Sequence, residues 1–162
     1  PVVVVRGDNP VTEDTKYGPV VVGVDGSGVS QKAIEYAFAE ASARECELIA
    51  VHTWMDMQIQ ASLAGLSAAQ QQWKIVEEEQ NMLLGHRLAE RYPDVQVTRV
   101  VARDRPVRAL VDAAKGAQLL VVGSHGRGGF KGMLLGSTSR ALLQSAPCPM
   151  MVVRPDSDAK AH

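Results

Sequence analysis

The chain has 162 residues, and its 46% hydrophobic content is enough for one domain with a sizeable core. Seventeen Lys and Arg against 18 Asp and Glu give a net charge of −1, and neither a basic block nor an acidic tail is present. This balance argues against a nucleic-acid-coating protein and against a polybasic membrane binder. The apolar runs are also far shorter than the roughly 20 residues that span a bilayer.

The first residues are the first feature in chain order. The segment 1–6 reads PVVVVR and resembles the segment 149–154, PMMVVR, near the other end of the chain. Both are β-branched or apolar, and both contain Pro, which suits edge strands of a sheet. Residues 7–17 are polar, with Gly and Pro, and are typical of a linker.

From residue 19 onwards, apolar β-rich runs alternate with segments of helical periodicity. The predicted strands are Pro19–Asp25, Glu47–Trp54, Val95–Ala102, Ala117–Gly123 and Pro149–Val153. Four helices are predicted. The first begins after a cap at Ser27 or Ser30, and the second runs from about Ser67 to Arg91. The third begins at Pro106, and the fourth runs from about Ser137 to Gln144.

This alternation predicts an α/β fold, a doubly wound, Rossmann-like sheet of five mainly parallel strands in the order 3-2-1-4-5, with helices on both faces. In that order, ligands bind outside the carboxyl ends of the first and fourth strands, where the winding reverses. Those ends are Asp25 and Gly123. The functional site is therefore expected in the segments VDGSG and GSHGRGGFKGMLLGS.

The fourth strand leads into a glycine-rich loop that holds six glycines from Gly123 to Gly136. Glycine lets backbone N–H groups approach an anion closely, and the following helix, starting near Ser137, offers unpaired N–H groups at its N-terminus. Arg127 and Lys131 add cations for outer phosphates. The loop predicts a phosphate site, and a glycine connection without a ligand is the alternative. Neither a GxxxxGK[ST] nor a GxGxxG spacing is present.

The spacing of the loop resembles a known family signature. Gly123, two residues, Gly126, nine residues and then Gly136-Ser137 match the G-2x-G-9x-G-[ST] pattern of the ATP-binding universal stress proteins. The runs VVVGVDGS, VVGSHGRGG and CPMMVVRP are also similar to that family. The resemblance extends over almost the whole of residues 18–155, which are expected to form the nucleotide-binding domain.

The resemblance implies a role for each part of the site. Asp25 is expected near the ribose or a metal ion such as Mg²⁺. The strand ends at about His52, Thr53 and Val122 are expected to frame the adenine. The residues expected to hold ribose and phosphates are Gly123, Ser124, Gly126, Gly136, Ser137 and Thr138. His125 has no acid or nucleophile beside it in sequence and is expected as an exposed residue next to the site.

The function implied is that of an ATP-binding regulatory or sensor protein of the stress response. Asp25 is the only obvious metal ligand near the predicted site, so at most weak ATP hydrolysis is expected. Three alternatives stay open, namely a cyclic-nucleotide binder, a slow ATPase and a dimerisation module that binds no nucleotide. The isolated Cys46 and Cys148 indicate reduced thiols in a cytoplasmic protein.

Universal stress proteins occur singly or as tandem pairs whose last strands commonly pair. Residues 1–6 are therefore interpreted as the last strand of a preceding domain of a tandem protein. Pro1–Arg6 is predicted to pair antiparallel with Pro149–Arg154, within the chain or with a second copy in a homodimer. Residues 156–162 are expected to be a disordered tail.

Overall fold

A computed structural model describes residues 1–5, 13–53, 84–102, 105–126 and 134–155. In chain order the elements are β1 (Val2–Val4), α1 (Glu13–Lys16), β2 (Val20–Val24), α2 (Gly28–Ala43), β3 (Leu48–Thr53), α3 (described over 84–91), β4 (Val97–Ala102), α4 (Pro106–Ala113), β5 (Leu119–Gly123), α5 (Ser137–Ser145) and β6 (Met150–Val153). The predicted beginning of α3 near Ser67 and the predicted tail, 156–162, lie outside the described residues.

The described strands form one sheet in the order β1-β6-β5-β2-β3-β4. Strands β2 to β6 all run parallel to one another, and they have the doubly wound order predicted from the sequence. The predicted number of five strands is too low for this sheet, because β1 adds a sixth strand on the outer edge of β6. The antiparallel pairing of these two segments is confirmed.

The β1–β6 ladder is nearly symmetric in both register and sequence. Val3 lies opposite Met151, with Val2 opposite Val152 and Val4 opposite Met150. When PVVVVR is aligned with PMMVVR, Val3 and Met151 occupy equivalent positions, so the ladder is centred on that pair. Two strands of similar sequence therefore meet around a local two-fold axis, as the two halves of an isologous interface do.

The parallel strands are covered on both faces, and their alternating side chains divide the core in two. On one face Val20 and Val22 pack with α2 and α3 through residues such as Phe38 and Leu88. On the other face Val21, Leu110 of α4 and Leu142 of α5 belong to a second cluster. Helices on both faces explain why the strands are continuous apolar runs rather than alternating ones.

The winding of the chain reverses at β2, which has β3 on one side and β5 on the other. The three strands are parallel, so their carboxyl ends, with Asp25, Thr53 and Gly123, lie along one edge of the sheet. Among the described residues, no helix combines the length and apolar character that crossing a membrane requires.

At the opposite edge of the sheet, two glycines allow the backbone of two distant segments to pack closely. A Cβ added to the buried Gly18 would lie 1.8 Å from the carbonyl oxygen of Gly116. Gly116 itself has φ of +76°, which a side chain would strain. The Gln118 side chain donates to the Gly18 carbonyl at 2.8 Å and completes this contact.

We predict that Gly18→Ala lowers the free energy of unfolding by at least about 2 kcal/mol, because backbone rather than a movable side chain must shift. Gly28→Ala is the matched control, since no atom lies within 4 Å of a Cβ at that exposed position. Its stability should stay within about 1 kcal/mol of the wild type. Urea unfolding of both variants measures the difference, and equal midpoints would contradict the contact.

The two cysteines differ in burial, and both are free thiols. Burial raises the pKa of the Cys148 thiol to about 11, although a hydrogen bond with the Leu120 backbone opposes this. Burial also raises the pKa of the half-buried Cys46. Because the thiolate is the reactive form, both side chains should react slowly, and Cys148 more slowly of the two.

We predict that at pH 8 a disulfide reagent modifies Cys46 in Cys148→Ser faster than it modifies Cys148 in Cys46→Ser. The burial of Cys148 favours the neutral thiol and raises the pKa of this group above its ordinary value of 9.0. The stability that the buried neutral thiol contributes is therefore fully present below pH 9.0 and is lost as the pH rises towards 11. Modification rates and unfolding curves between pH 8 and pH 11 measure both effects. Faster modification of Cys148 would refute the assignment.

Candidate functional site

The first part of the site is the turn between β2 and α2. Asp25 Oδ1 accepts hydrogen bonds from the backbone amide of Ser27 at 2.9 Å and from its hydroxyl at 2.7 Å. Ser27 Oγ in turn accepts from the amide of Ser30 at 3.2 Å, so Ser27 is the N-cap of α2. Gly26, with φ of +82°, makes the turn between them. Asp25 therefore does not cap the helix itself and instead orients the residue that does.

The second oxygen of Asp25 faces the glycine loop that follows β5. A Cβ placed on Gly126 would lie 2.8 Å from Asp25 Oδ2, closer than Cβ atoms approach non-bonded heavy atoms in folded proteins. The absence of a side chain at position 126 therefore allows this approach. Asp25 and Gly126 come from two neighbouring strands, so the structure brings together two of the residues predicted for the site.

The end of β5 is packed against α2 and bonded to α5. A Cβ on Gly123 would lie 3.0 Å from Cγ1 of Val29, a contact tight enough to move that side chain. The carbonyl of Gly123 accepts a hydrogen bond from the Ser139 hydroxyl at 2.7 Å. Gly123 is therefore a close-packing position between two helices, in addition to its predicted role in the loop.

Ser124 joins the two ends of the glycine loop. Its side chain is fully buried, and its amide donates to the carbonyl of Val153 in β6 at 2.7 Å. The amide of Gly136 donates to the Ser124 carbonyl, also at 2.7 Å. This bond returns the chain to the end of β5 at the point where α5 begins.

The beginning of α5 provides the donors of the site. Gly136 is the N-cap, with φ of −70° and ψ of 166°, and no side chain caps the helix. The first-turn amides of a helix have no partner within it and carry a partial positive charge. The exposed Ser137 and the half-buried Thr138 add hydroxyl groups at this end. This N-terminus therefore suits an anion such as a phosphate group.

The other residues predicted for the site have different outcomes. The side chain of Val122 is buried in the cluster shared with α4 and α5, and its backbone is paired with Val152 in the ladder between β5 and β6. Thr53 is the last residue of β3, and its side chain is outside the described part of the structure. Arg127 and Lys131 also lie outside the described residues.

The surroundings of Asp25 bear on metal binding. Within the described ranges, no three His, Cys, Asp or Glu side chains gather closely enough to hold a metal ion. Asp25 is the carboxylate at the edge of this site, and one of its oxygens is already bonded to Ser27.

His125 was expected as an exposed residue next to the site, and the structure places it beside the beginning of α5. Its Nδ1 is 3.0 Å from Ser124 Oγ, and the residue is partly buried rather than fully exposed. A Cβ on Gly136 would lie 3.6 Å from His125 Cα, so His125 borders the beginning of α5. The position of His125 between Gly123 and Gly126 was the available signal in the sequence.

Comparison with known proteins identifies relatives of this chain. Residues 16–154 match the sequence model of the Universal stress protein family. Universal stress protein Rv2005c of Mycobacterium tuberculosis is 51% identical over 157 residues, which cover 95% of this chain and 51% of the relative. The chain thus spans about half the length of the curated relatives it matches.

Solved structures share the fold. A universal stress protein crystallised in complex with cAMP has 27% identity and a TM-score of 0.53, over 85% of this chain and 97% of that one. A universal stress protein from Archaeoglobus fulgidus in complex with dAMP has 21% identity and a TM-score of 0.54, over 85% of this chain and 98% of that one. At 21% identity the second likeness concerns the fold alone.

We predict that Gly126→Ala lowers the free energy of unfolding by about 1 kcal/mol, because Asp25 must move away from the new Cβ. In the Asp25→Ala background the same change should cost less, which gives a coupling of roughly 0.5–1 kcal/mol in a double-mutant cycle. Lys115→Ala, at an exposed position near the amino ends of the strands, is the control. Combined with Gly126→Ala, its effect on the free energy of unfolding should simply add. A coupling of zero between positions 25 and 126 would contradict the described approach.

Proposed function

The chain belongs to the universal stress protein family, and on that premise we propose that it binds adenine nucleotides, ATP foremost, as a regulatory sensor. The nucleotide would lie at the carboxyl edge of β2 and β5, with its phosphates at the beginning of α5. A sensor of this kind catalyses no reaction. The bound nucleotide would shift the equilibrium between two states of the protein by the difference between its affinities for those states.

The observation that carries this proposal is the closed glycine loop. The bond from Gly136 to Ser124 holds the uncapped N-terminus of α5 against the end of β5. Asp25 and Gly126 lie at the same edge. The site thus combines phosphate donors from the α5 backbone with one carboxylate for a ribose hydroxyl. Gly123, Gly126, Gly136, Ser137 and Thr138 are the proposed phosphate and ribose contacts, and Thr53 and Val122 are the proposed adenine contacts.

Two further ligand features belong to the proposal. Arg127 and Lys131 are proposed to contact the outer phosphates. Oδ2 of Asp25, which faces the glycine loop, fits a Mg²⁺ ion that takes its remaining ligands from phosphates and water. Mg²⁺ is commonly bound by one or two carboxylates. When bound, this ion would neutralise phosphate charge. The relative at 27% identity in complex with cAMP supports an adenine nucleotide and makes cyclic AMP the first competitor of ATP to test.

The β1–β6 ladder favours a second proposed role, the pairing of two units of this fold. Its register is centred on Val3 and Met151, at equivalent positions of two segments of similar sequence. A tandem partner domain or a second copy could present the same sequence to the β6 edge. Val2 and Val3 stay about half exposed on β1, so a larger assembly would cover apolar surface there.

We predict that Gly136→Asp abolishes most ATP binding without loss of stability. Its backbone angles suit any residue, and a Cβ at this position meets neighbours no closer than 3.5 Å. Aspartate is a good N-cap, so it would accept from the first-turn amides of α5 and repel phosphate. The affinity for ATP should fall at least about tenfold, with unfolding midpoints equal to the wild type or higher.

Calorimetric titration with ATP, with and without Mg²⁺, measures this effect, and the same titration with cAMP ranks the two ligands. Gly136→Asn adds a cap without a charge and should lose less affinity than Gly136→Asp. Asp112→Asn, at an exposed position of α4 paired with Lys115, should bind ATP like the wild type. No saturable binding to the wild type below about millimolar ATP, or equal affinity in Gly136→Asp, would refute the proposed site.

A further inference from the structure

The carboxylate of Asp25 is held in one orientation by a single neighbour. Oδ1 accepts from the Ser27 amide at 2.9 Å and from the Ser27 hydroxyl at 2.7 Å. Two hydrogen bonds to one oxygen restrain both side-chain torsions of an aspartate, and the outer of these torsions is otherwise broad. Both residues are partly buried, so water competes for these bonds less than it would at an exposed turn.

The hydroxyl of Ser27 also connects Asp25 to helix α2. Ser27 Oγ accepts from the amide of Ser30 at 3.2 Å and gives its one hydrogen to Asp25. The amide of Asp25 in turn donates to Oγ of the buried Ser30 at 3.3 Å. The first turn of α2 therefore determines where the carboxylate of Asp25 points.

This orientation directs the second carboxylate oxygen towards the glycine loop. Oδ2 lies 2.8 Å from the position that a Cβ on Gly126 would occupy. The amide nitrogen of Gly126 would in turn lie 3.7 Å from a Cβ on Gly136, the N-cap of α5. Gly126 is thus next to both the carboxylate and the beginning of α5. The spacing fits a ligand that carries a hydrogen-bond donor and an anion on adjacent groups.

The chemistry of a carboxylate restricts what the ligand can present to Oδ2. An ionised carboxylate accepts hydrogen bonds and repels phosphate oxygens. In a nucleotide, the donors closest to the phosphates are the ribose hydroxyls. A ligand without the bonded hydroxyl leaves the carboxylate without that partner, and sites built to bond a hydroxyl reject such analogues strongly.

We propose that Ser27 is a positioning residue that makes the site selective for ribonucleotides, because it holds Asp25 with Oδ2 towards a ribose hydroxyl. Ser27 acts through Asp25 and does not itself contact the ligand. The inference rests on the proposed nucleotide site and deepens it, because it names the class of nucleotide and the residue that determines the selectivity.

The orientation of Asp25 is tested without any nucleotide, by amide hydrogen exchange. In Asp25→Ala the amide of Ser27 loses its acceptor, so it should exchange at least about tenfold faster than in the wild type. The amide of Arg44, bonded to Glu40 at the other end of α2, should keep its rate. An unchanged rate at Ser27 would overturn the role assigned to this residue.

The selectivity is measured by calorimetric titration with ATP and with its 2′-deoxy and 3′-deoxy analogues. The wild type should bind ATP at least about tenfold more tightly than one of the two analogues, and that analogue identifies the bonded hydroxyl. The ratio of affinities cancels what the phosphates and any bound cation contribute. It is therefore a readout that a purely structural role of Ser27 does not change.

Three variants separate positioning from helix capping. Ser27→Asn keeps an N-cap for α2 but removes the hydroxyl that donates to Asp25, so its preference for ATP should fall at least about threefold with little loss of stability. Ser27→Thr keeps the hydroxyl and should retain the preference. Ser42→Ala removes a hydrogen bond to Asp94 at the far end of α2 and should also retain it.

The outcomes distinguish this inference from the proposed function. If the wild type binds ATP and both analogues equally, or if Ser27→Asn discriminates as well as the wild type, the role of Ser27 is refuted and the nucleotide site stands. If the wild type binds no nucleotide, both proposals fail. Thermal unfolding of each variant checks that a changed ratio does not come from a lost fold.

Discussion

The hydrogen bond from the Gly136 amide to the Ser124 carbonyl, 2.7 Å long, is the constraint on which the site depends. It closes a loop of eleven intervening residues and places the beginning of α5 at the end of β5. A second bond, from the Ser124 amide to Val153, fixes the same residue to β6. Because Ser124 is fully buried, these bonds are protected from water and hold the N-terminus of α5 in one position.

This constraint is effective because the sheet beneath it is firmly packed. Val20, Val21 and Val22 of β2 are completely buried and face alternate sides of the sheet. Helix α2 begins at the same edge as α5, through a cap that Asp25 orients. Two helix N-termini and one carboxylate thus converge on the carboxyl ends of β2 and β5, where open parallel sheets bind ligands. The positive partial charge and the hydrogen-bond donors for a phosphate ester therefore come more from backbone amides than from side chains.

Most of the fold could be predicted from the sequence because its signals are local or periodic. Buried β-branched runs predicted five of the strands and their order, and the repeat of PVVVVR in PMMVVR predicted the β1–β6 pairing. The sheet nevertheless has one strand more than the five counted, since residues 1–6 were assigned to a separate unit. The contact of Gly18 with Gly116 links positions 98 residues apart and has no local signal.

The site was predicted less completely than the fold. The spacing of Gly123, Gly126 and Gly136 identified the loop, whereas the bond between Ser124 and His125 depends on side-chain rotamers that a sequence pattern does not encode.

The central claim is that a nucleotide binds with its phosphates at the beginning of α5. The most direct measurement is a titration of ¹⁵N-labelled protein with ATP, followed by the backbone amide resonances. We expect saturable shifts that are largest at Gly126, Ser137 and Thr138, with little change along β4, which lies beyond β3 from the site. Saturable shifts confined to another surface, or no shifts at millimolar ATP, would contradict it.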